Sequence, residues 1–287
     1  KLIKEYKIMD GFFLLNKETG ISSNQLVQNI KKSLRLKKVG HLGTLDPMAT
    51  GLMVIAVNRA TKFSSYFLES DKSYYATVKL GSSTNTDDAL GKIIETSDNL
   101  PTKENTHEVL NSFIGQSLQV APFYSALKHK GKPLYKYARE GDLISKPPRE
   151  INVFSIKEFI FDYDKCSFLI HCSKGTYIRS IARDLGKKLG CGAHLAGLKR
   201  VSQGKFNINE ALIDGEVEIK NLISIEEAFK EFSAIKLQND QLKIFLNGGK
   251  LNNINNEDND YRIYDLSLNF QGLGNVSNNV LALKQLV

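Results

Sequence analysis

Residues 52–57 read Leu-Met-Val-Ile-Ala-Val, an unbroken apolar run between a glycine-rich stretch and Asn58-Arg59. Six residues are too few for an ordinary helix and suit a strand buried on both faces. Such a strand needs neighbours along both edges and covering layers on both faces.

Candidate neighbours are visible. Residues 12–16 read as a short strand. Tyr74, Ala76, Val78 and Leu80 alternate with Tyr75, Thr77 and Lys79, the pattern of a half-buried strand. Residues 150–161 and 165–172 read as two strands of a hairpin turning at 162–164, and residues 195–206 as another strand. Between them lie helical stretches. Ser22 with Gln25 three residues on marks a capping box, and Leu26, Val27, Ile30 and Leu34 share a face. Residues 59–68 look helical, residues 102–114 form a helix closed by Gly115, and residues 224–232 form a short one. Ile178, Ile181, Ala182, Leu185 and Leu189 line one side of a helix closed by Gly190. Residues 82–91 read as a polar loop whose Asp87-Asp88 pair lacks the ligand spacing of a calcium loop. Strands and helices mix without a βαβ rhythm. The expected class is α+β, a largely antiparallel mixed sheet flanked by helices and loops.

At 287 residues, one large domain with a small appendage is the natural division. The texture changes near residue 236. Residues 252–260 are Asn-rich, and three short strand-like runs follow near 261–266, 268–275 and 279–286. Residues 236–287 carry five Lys or Arg and five Asp or Glu, so the net charge of +8 resides entirely in 1–235. A large basic domain, 1–235, and a small neutral β-rich domain, 236–287, are expected.

The basic surplus favours a polyanionic partner, nucleic acid or an anionic membrane. No apolar run approaches the roughly 20 residues that span a bilayer. Residues 1–10 lack the apolar core of a signal peptide. The expectation is a soluble, cytoplasmic protein without membrane association. The three cysteines, Cys166, Cys172 and Cys191, are odd in number and include no C-x-x-C. This argues against a disulfide framework and against a zinc site. Cys166 and Cys172 fall on one face of their strand and read as core.

The loop before the apolar run is the main chemical candidate. It reads Gly40-His41-Leu42-Gly43-Thr44-Leu45-Asp46-Pro47-Met48-Ala49-Thr50-Gly51. Pro47 drives Asp46 out of the helical region, and the glycines permit close backbone approach. A carboxylate leading into a buried strand can be half-buried and reactive, although Asp-Pro is also a common turn.

This stretch resembles the G-H-x-G-T-L-D-P-x-A-T-G signature of the TruB family, the bacterial tRNA pseudouridine-55 synthases. Three further segments agree in order. They are Asp71-Lys72-Ser73-Tyr74 with Leu80-Gly81, then Ser125-Ala126-Leu127-Lys128 with Gly131-Lys132-Pro133-Leu134-Tyr135, then Ser173-Lys174-Gly175-Thr176-Tyr177-Ile178-Arg179-Ser180 with Asp184-Leu185-Gly186. The likeness runs from about residue 9 to 215 and fades in the tail, which loosely resembles the family's PUA domain and looks short.

The resemblance implies a pseudouridine synthase fold and a cofactor-free isomerisation of uridine 55 in the T loop of tRNA. It implies Asp46 as the catalytic carboxylate, Tyr74 as the ring that stacks on the flipped uracil and serves as a base, and Arg179 as the partner of Asp46. It associates His41, Gly43, Thr44 and Tyr177 with the folded RNA. Ser73 departs from the Arg that family members often carry there. The chemistry suits these residue types. The bond from N1 to the ribose breaks, the base rotates, and C5 takes its place, with no redox group or energy donor required. An ionised carboxylate must act, which a paired Arg favours, and the nucleotide must leave its stack.

The RNA surface is expected at an insertion near 120–150. Seven cations (Lys128, Lys130, Lys132, Lys136, Arg139, Lys146 and Arg149) face only Glu140 and Asp142 between residues 125 and 149, giving +5. Tyr124, Tyr135 and Tyr137 are interleaved. Cations neutralise phosphates and tyrosines stack on splayed bases. Residues 134–140 form a short helix framed by Pro133 and Gly141. A second group, Lys31, Lys32, Arg35, Lys37 and Lys38, reads as a solvated face. The expected partner is the T-arm stem-loop of tRNA, with no obligatory protein partner and a monomeric state. Two rival readings remain. A non-catalytic RNA-binding protein would keep the basic insertion without needing Asp46, Tyr74 and Arg179 together. An Asp-dependent hydrolase would want a metal or a second carboxylate, for which no clear candidate appears.

Overall fold

The structure, a computed structural model, describes residues 9–287. Residues 1–8, most of the segment examined for a signal peptide, lie outside the described residues.

A ten-stranded sheet forms the centre. Its main path runs Ile223–Ser224, Gly11–Lys17, Thr50–Val57, Ala193–Gln203, Lys72–Leu80, Lys165–Cys172, Arg149–Asp162 and Gly115–Gln119. Val39–His41 adds to Thr50–Val57, and Phe206–Asn207 adds to Ala193–Gln203. One pairing, Thr50–Val57 with Ala193–Gln203, is parallel, and the other described pairings of this sheet are antiparallel.

The apolar run sits deep in this sheet, with Leu52 to Val57 all fully buried. On one face Met53, Ile55 and Val57 join Phe13, Leu15, Ala76, Val78, Phe168 and Ile170 beneath the helices Ser23–Ser33 and Ile178–Leu189. On the other face Leu52, Val54 and Ala56 join Phe12, Leu14, Phe63, Phe67 and Phe229. Two-sided burial explains why this strand is apolar throughout. Lys72–Leu80 has one face buried and one partly open, which explains its alternation.

Ser22 caps the helix Ser23–Ser33 by accepting from the Gln25 amide. The helix Ile178–Leu189 ends on Gly190 at φ 71°, a left-handed cap that suits glycine. Cys166, Cys172 and Cys191 are buried and free. Among the described residues no helix is long and apolar enough to cross a membrane.

Four expectations need correction. Residues 82–91 are not simply a loop: Ser82–Thr84 pairs with Ile93–Thr96 in a hairpin. The short strands escaped notice because Ser82 and Thr84 are polar and Ile93 and Ile94 are exposed. Residues 59–68 divide into a 3-10 turn, Asn58–Phe63, and a helix, Ser64–Leu68. The helix near 224–232 spans only Ile225–Ala228. The tail contains a helix, Asn239–Leu246, beside its four-stranded sheet of Ala234–Lys236, Asn259–Tyr264, Phe270–Ser277 and Val280–Leu286. That sheet encloses its own core of Ile235, Leu237, Phe245, Ile263, Val276 and Leu281.

Candidate active site

Three segments converge at the start of Thr50–Val57. The Asp46 loop is pinned from below by Ser23, whose hydroxyl donates to the Leu45 carbonyl and accepts from the Leu45 amide, both at 2.8 Å. Pro47 is held through its carbonyl, which accepts from the Gly20 amide at 2.8 Å and lies 3.4 Å from Lys17 Nζ. Lys17 is fully buried, and its ammonium also donates to the Glu18 and Ile21 carbonyls at 2.8 Å. Burial lowers its pKa to about 8, with the nearby Asp46 charge opposing the shift. Asp46 is thus displayed by a backbone fixed on both sides.

The helix Ile178–Leu189 brings Arg179 to the same place. Arg179 Nε lies 2.9 Å from Asp46 Oδ2 and Nη2 donates to Oδ1 at 3.2 Å, a two-pronged pair. Arg179 is nearly buried, and its remaining donors reach the Thr86 carbonyl at 3.3 Å and the Tyr124 carbonyl at 2.9 Å. Desolvation by the surrounding wall raises the Asp46 pKa. Arg179 opposes that rise, and the buried Asp88 carboxylate adds to it.

Tyr74 comes from the neighbouring strand. It is directly opposite Arg200 of Ala193–Gln203, and Arg200 is opposite Gly51 on its other side. A register shift between Arg200 and Ser202 marks a bulge there. Arg200 is buried, with Nε donating to the Leu52 carbonyl at 2.7 Å and Nη2 to the Gly43 carbonyl at 3.1 Å. Burial pushes the Tyr74 phenol up to about 12, with Arg200 opposing.

Asp46, Arg179 and Tyr74 line one cavity of about 260 Å³, together with Gly43, Thr44, Lys72, Arg149, Tyr177 and Arg200. The volume suits one ring system rather than a large ligand. Arg149 stacks over Tyr177 at 4.5 Å and donates to the Gly175 carbonyl. Gln119 holds the Tyr177 backbone from both sides, accepting from its amide at 2.8 Å and donating to its carbonyl at 3.1 Å.

His41 is absent from this lining. It lies on the short strand opposite Ile55, its Nδ1 buried without a partner and its pKa lowered by burial and by Arg200. Lys128, Lys130 and Lys132 also stand away from the cavity, on a hairpin of the insertion that turns at Lys130 and Gly131, both at positive φ. Lys132 pairs with Glu140 and lies over the Tyr137 ring at 4.5 Å. Arg139 similarly lies over Tyr135 at 5.4 Å, and the Tyr124 and Tyr137 hydroxyls donate to the Ala138 and His129 carbonyls. The tyrosines, expected to stack on bases, here hold the insertion together.

Sequence reasoning missed Lys17, Lys72, Arg200, Gln203 and Asp88. Lys72 is buried with a pKa lowered to about 8, chiefly by burial. Asp88 is the nearby second carboxylate that the sequence did not reveal. It is buried, lies 3.8 Å from Arg179, and accepts from the Thr86 hydroxyl and the Leu90 amide. It does not line the cavity. Among the described residues no group of three or more His, Cys, Asp or Glu is placed to hold a metal.

Gly51 makes this arrangement possible. Its φ is +102°, and a Cβ there would lie 2.3 Å from the Arg200 carbonyl oxygen and 2.7 Å from its amide nitrogen. Gly51→Ala is expected to destabilise the protein by about 3 kcal/mol or more, because neither backbone can yield without breaking the parallel pairing. Urea unfolding of the variant at the wild-type midpoint would contradict this contact.

Comparison with known proteins agrees over most of the chain. Residues 31–178 match the model of the TruB family pseudouridylate synthase N-terminal domain, and residues 179–230 match that of the tRNA pseudouridylate synthase B C-terminal domain. The chain is 42% identical over 266 residues to a tRNA pseudouridine synthase B of Francisella philomiragia, covering 90% of this chain and 88% of the relative. It is also 42% identical over 247 residues to the protein of that name from Methylobacillus flagellatus, covering 84% and 82%. The fold resembles a chain of a Cbf5-Nop10-Gar1 complex with a TM-score of 0.70 at 22% identity, covering 97% of this chain and 85% of that one.

Proposed function

We propose, because this chain belongs to the TruB family of pseudouridylate synthases, that it isomerises uridine 55 in the T loop of tRNA. Asp46 is the catalytic carboxylate in this reading. The observation that carries it is the two-pronged Arg179–Asp46 pair at the wall of a cavity sized for one base. Arg179 keeps the carboxylate ionised against the desolvation that the site imposes. Tyr74 lines the cavity and offers the flipped uracil a ring face. Gly43, Thr44, Tyr177 and Arg149 line the same cavity. A protein that only bound RNA would have no use for a half-buried carboxylate clamped in this way.

The reaction is an isomerisation. The bond from N1 to C1′ breaks, one from C5 to C1′ forms, and the C5 proton is replaced by one at N1, so atoms and electrons balance without a cofactor. The base must first leave its stack, at a cost of a few kcal/mol. No metal ligand set and no redox group enters this scheme. The protein works in the cytoplasm as a single chain. The PUA-like unit begins at about residue 234, where the first strand of its own sheet lies, and its Leu273 packs into the core of the larger domain.

The test is tRNA incubated with the purified protein alone and mapped for pseudouridine. Modification at position 55, on whole tRNA and on a T-arm stem-loop, is expected. An unmodified uridine 55 would refute the assignment.

The insertion supplies cations for the RNA backbone. Lys128 and Lys130 are exposed, whereas Lys132 is paired with Glu140. Replacing Lys128 and Lys130 by Ala is expected to flatten the slope of log affinity against log salt by about 1.4 to 1.8, given roughly 0.7–0.9 per phosphate contact. Affinity should fall alike for all RNAs, since phosphate contacts carry no sequence information. Parallel salt titrations for variant and wild type would place the RNA elsewhere, with the exposed cations at Lys32, Arg35, Lys37 and Lys38 the next candidates.

A further inference from the structure

Arg179 and Arg183 stand one turn apart on the helix Ile178–Leu189. Both are met by the turn of the hairpin whose strands are Ser82–Thr84 and Ile93–Thr96. At the tip of that turn Asp87 adopts φ +61°, a left-handed conformation that side-chain-bearing residues enter at a cost and that Asp tolerates better than most. The kink splits the turn between the two arginines. Thr86, before it, gives its carbonyl to Arg179 Nη1 at 3.3 Å, and Asp88, after it, lies 3.8 Å from the same nitrogen. Asp87 itself reaches the other arginine, Arg183 Nη1, at 3.1 Å.

Arg183 does more than answer Asp87. Its Nη2 donates to the Val120 carbonyl at 3.0 Å, at the base of the insertion, and its Nε donates to Asp184 at 2.9 Å. The Val120 carbonyl also accepts from the Ser180 hydroxyl at 2.9 Å. The Asp87 backbone is tied to Leu195 of the central sheet, whose amide donates to the Asp87 carbonyl at 3.0 Å. Neither Asp87 nor Arg183 faces the cavity of Asp46. Both line a separate cleft of about 780 Å³, which Tyr124 also lines.

One edge of the Arg179 fork, Nε and Nη2, faces Asp46, with Nη2 also reaching the Tyr124 carbonyl, while Nη1 is engaged by the turn through the Thr86 carbonyl. Its orientation therefore depends on where the turn holds Thr86 and Asp88. We propose that Asp87 and Arg183 are a positioning pair: their contact keeps the turn against Arg179, which aims the Arg179 fork at Asp46. The pair rests on the pseudouridine synthase reading above and adds to it two residues that touch neither substrate nor Asp46.

The substitutions are Asp87→Asn, which keeps the left-handed preference and removes the charge, Arg183→Gln, Arg183→Lys and the double Asp87→Asn/Arg183→Gln. Single-turnover formation of pseudouridine in a T-arm stem-loop is measured at saturating protein, with RNA affinity, thermal midpoint and the pH dependence of the rate. Asp87→Asn and Arg183→Gln are each expected to lower the rate about tenfold with affinity within about twofold, as befits a lost orientation. The double variant should be no worse than either single one, because the two residues act as a unit. Arg183→Lys should recover part of the rate. The acid limb of the rate profile should move to higher pH, since Asp46, faced by Arg179, Lys17 and Asp88, loses support for its charged form. Rates like wild type with an unmoved acid limb would overturn the proposal. So would losses that add in the double variant, or that follow the thermal midpoint alone. An inactive wild type would instead overturn the functional reading itself, and the pair with it.

Discussion

Asp46→Asn is expected to reduce pseudouridine formation by at least about four orders of magnitude, with RNA affinity within about twofold of wild type. The amide fills the same space and can still accept from Arg179 through its oxygen. It cannot carry the charge or form a bond to a sugar or base as a carboxylate does. The loop would keep its shape, because Ser23 and Gly20 fix it through backbone atoms and not through the Asp46 side chain. The measurement is single-turnover modification of a T-arm stem-loop beside direct binding of the same RNA. A variant within tenfold of the wild-type rate would remove Asp46 from the chemistry.

Arg179→Lys should lower the rate by about two to three orders of magnitude, although the positive charge is retained. A lysine ammonium cannot span both oxygens of Asp46 and also reach the Thr86 and Tyr124 carbonyls, as the guanidinium does. Two half-buried acceptors would be left short of a donor. The pH dependence gives an independent reading. In the proposed reading activity requires ionised Asp46, so the rate should fall as pH drops through its pKa, which burial has raised above the usual carboxylate value. Arg179 is the largest opposing influence. Arg179→Ala should therefore push the acid limb further toward neutral pH, whereas a limb at the wild-type position would show that the pair does not govern Asp46.

The parts of this site that could be read from the sequence are those in which the backbone itself is constrained. Pro47 and the glycines from Gly40 to Gly51 announce a shaped loop, and the two-sided apolar run after it announces the strand that anchors it. Lys17, Lys72 and Arg200 could not be read in the same way. A cation within a strand ordinarily marks a solvent face, yet Arg200 is buried because the carbonyls of Gly43 and Leu52, about 150 positions earlier, supply its acceptors. Nothing near residue 200 signals them. The turn at Asp87 failed for a related reason. Its paired carboxylates lack calcium-loop spacing and serve two arginines near residue 180. The helix Asn239–Leu246 was hidden because asparagines flank it and its buried face rests on Phe245 alone.

The order of strands in the central sheet has a consequence for assembly. Ala193–Gln203 lies between Thr50–Val57 and Lys72–Leu80, so a strand made late fills the gap between two made early. Until it does, Arg200 cannot brace Tyr74 and Gly51 has no parallel partner. Arg179 likewise comes 133 positions after Asp46. At roughly 5–20 residues per second, a ribosome exposes the Asp46 loop many seconds before either arginine exists. The nascent chain therefore carries Asp46 unclamped while the next 133 residues are made, and the cavity is complete only once Arg200 has joined the sheet. Competence toward RNA is in this sense timed by translation, and a chain stalled before residue 200 would hold the signature loop without the site.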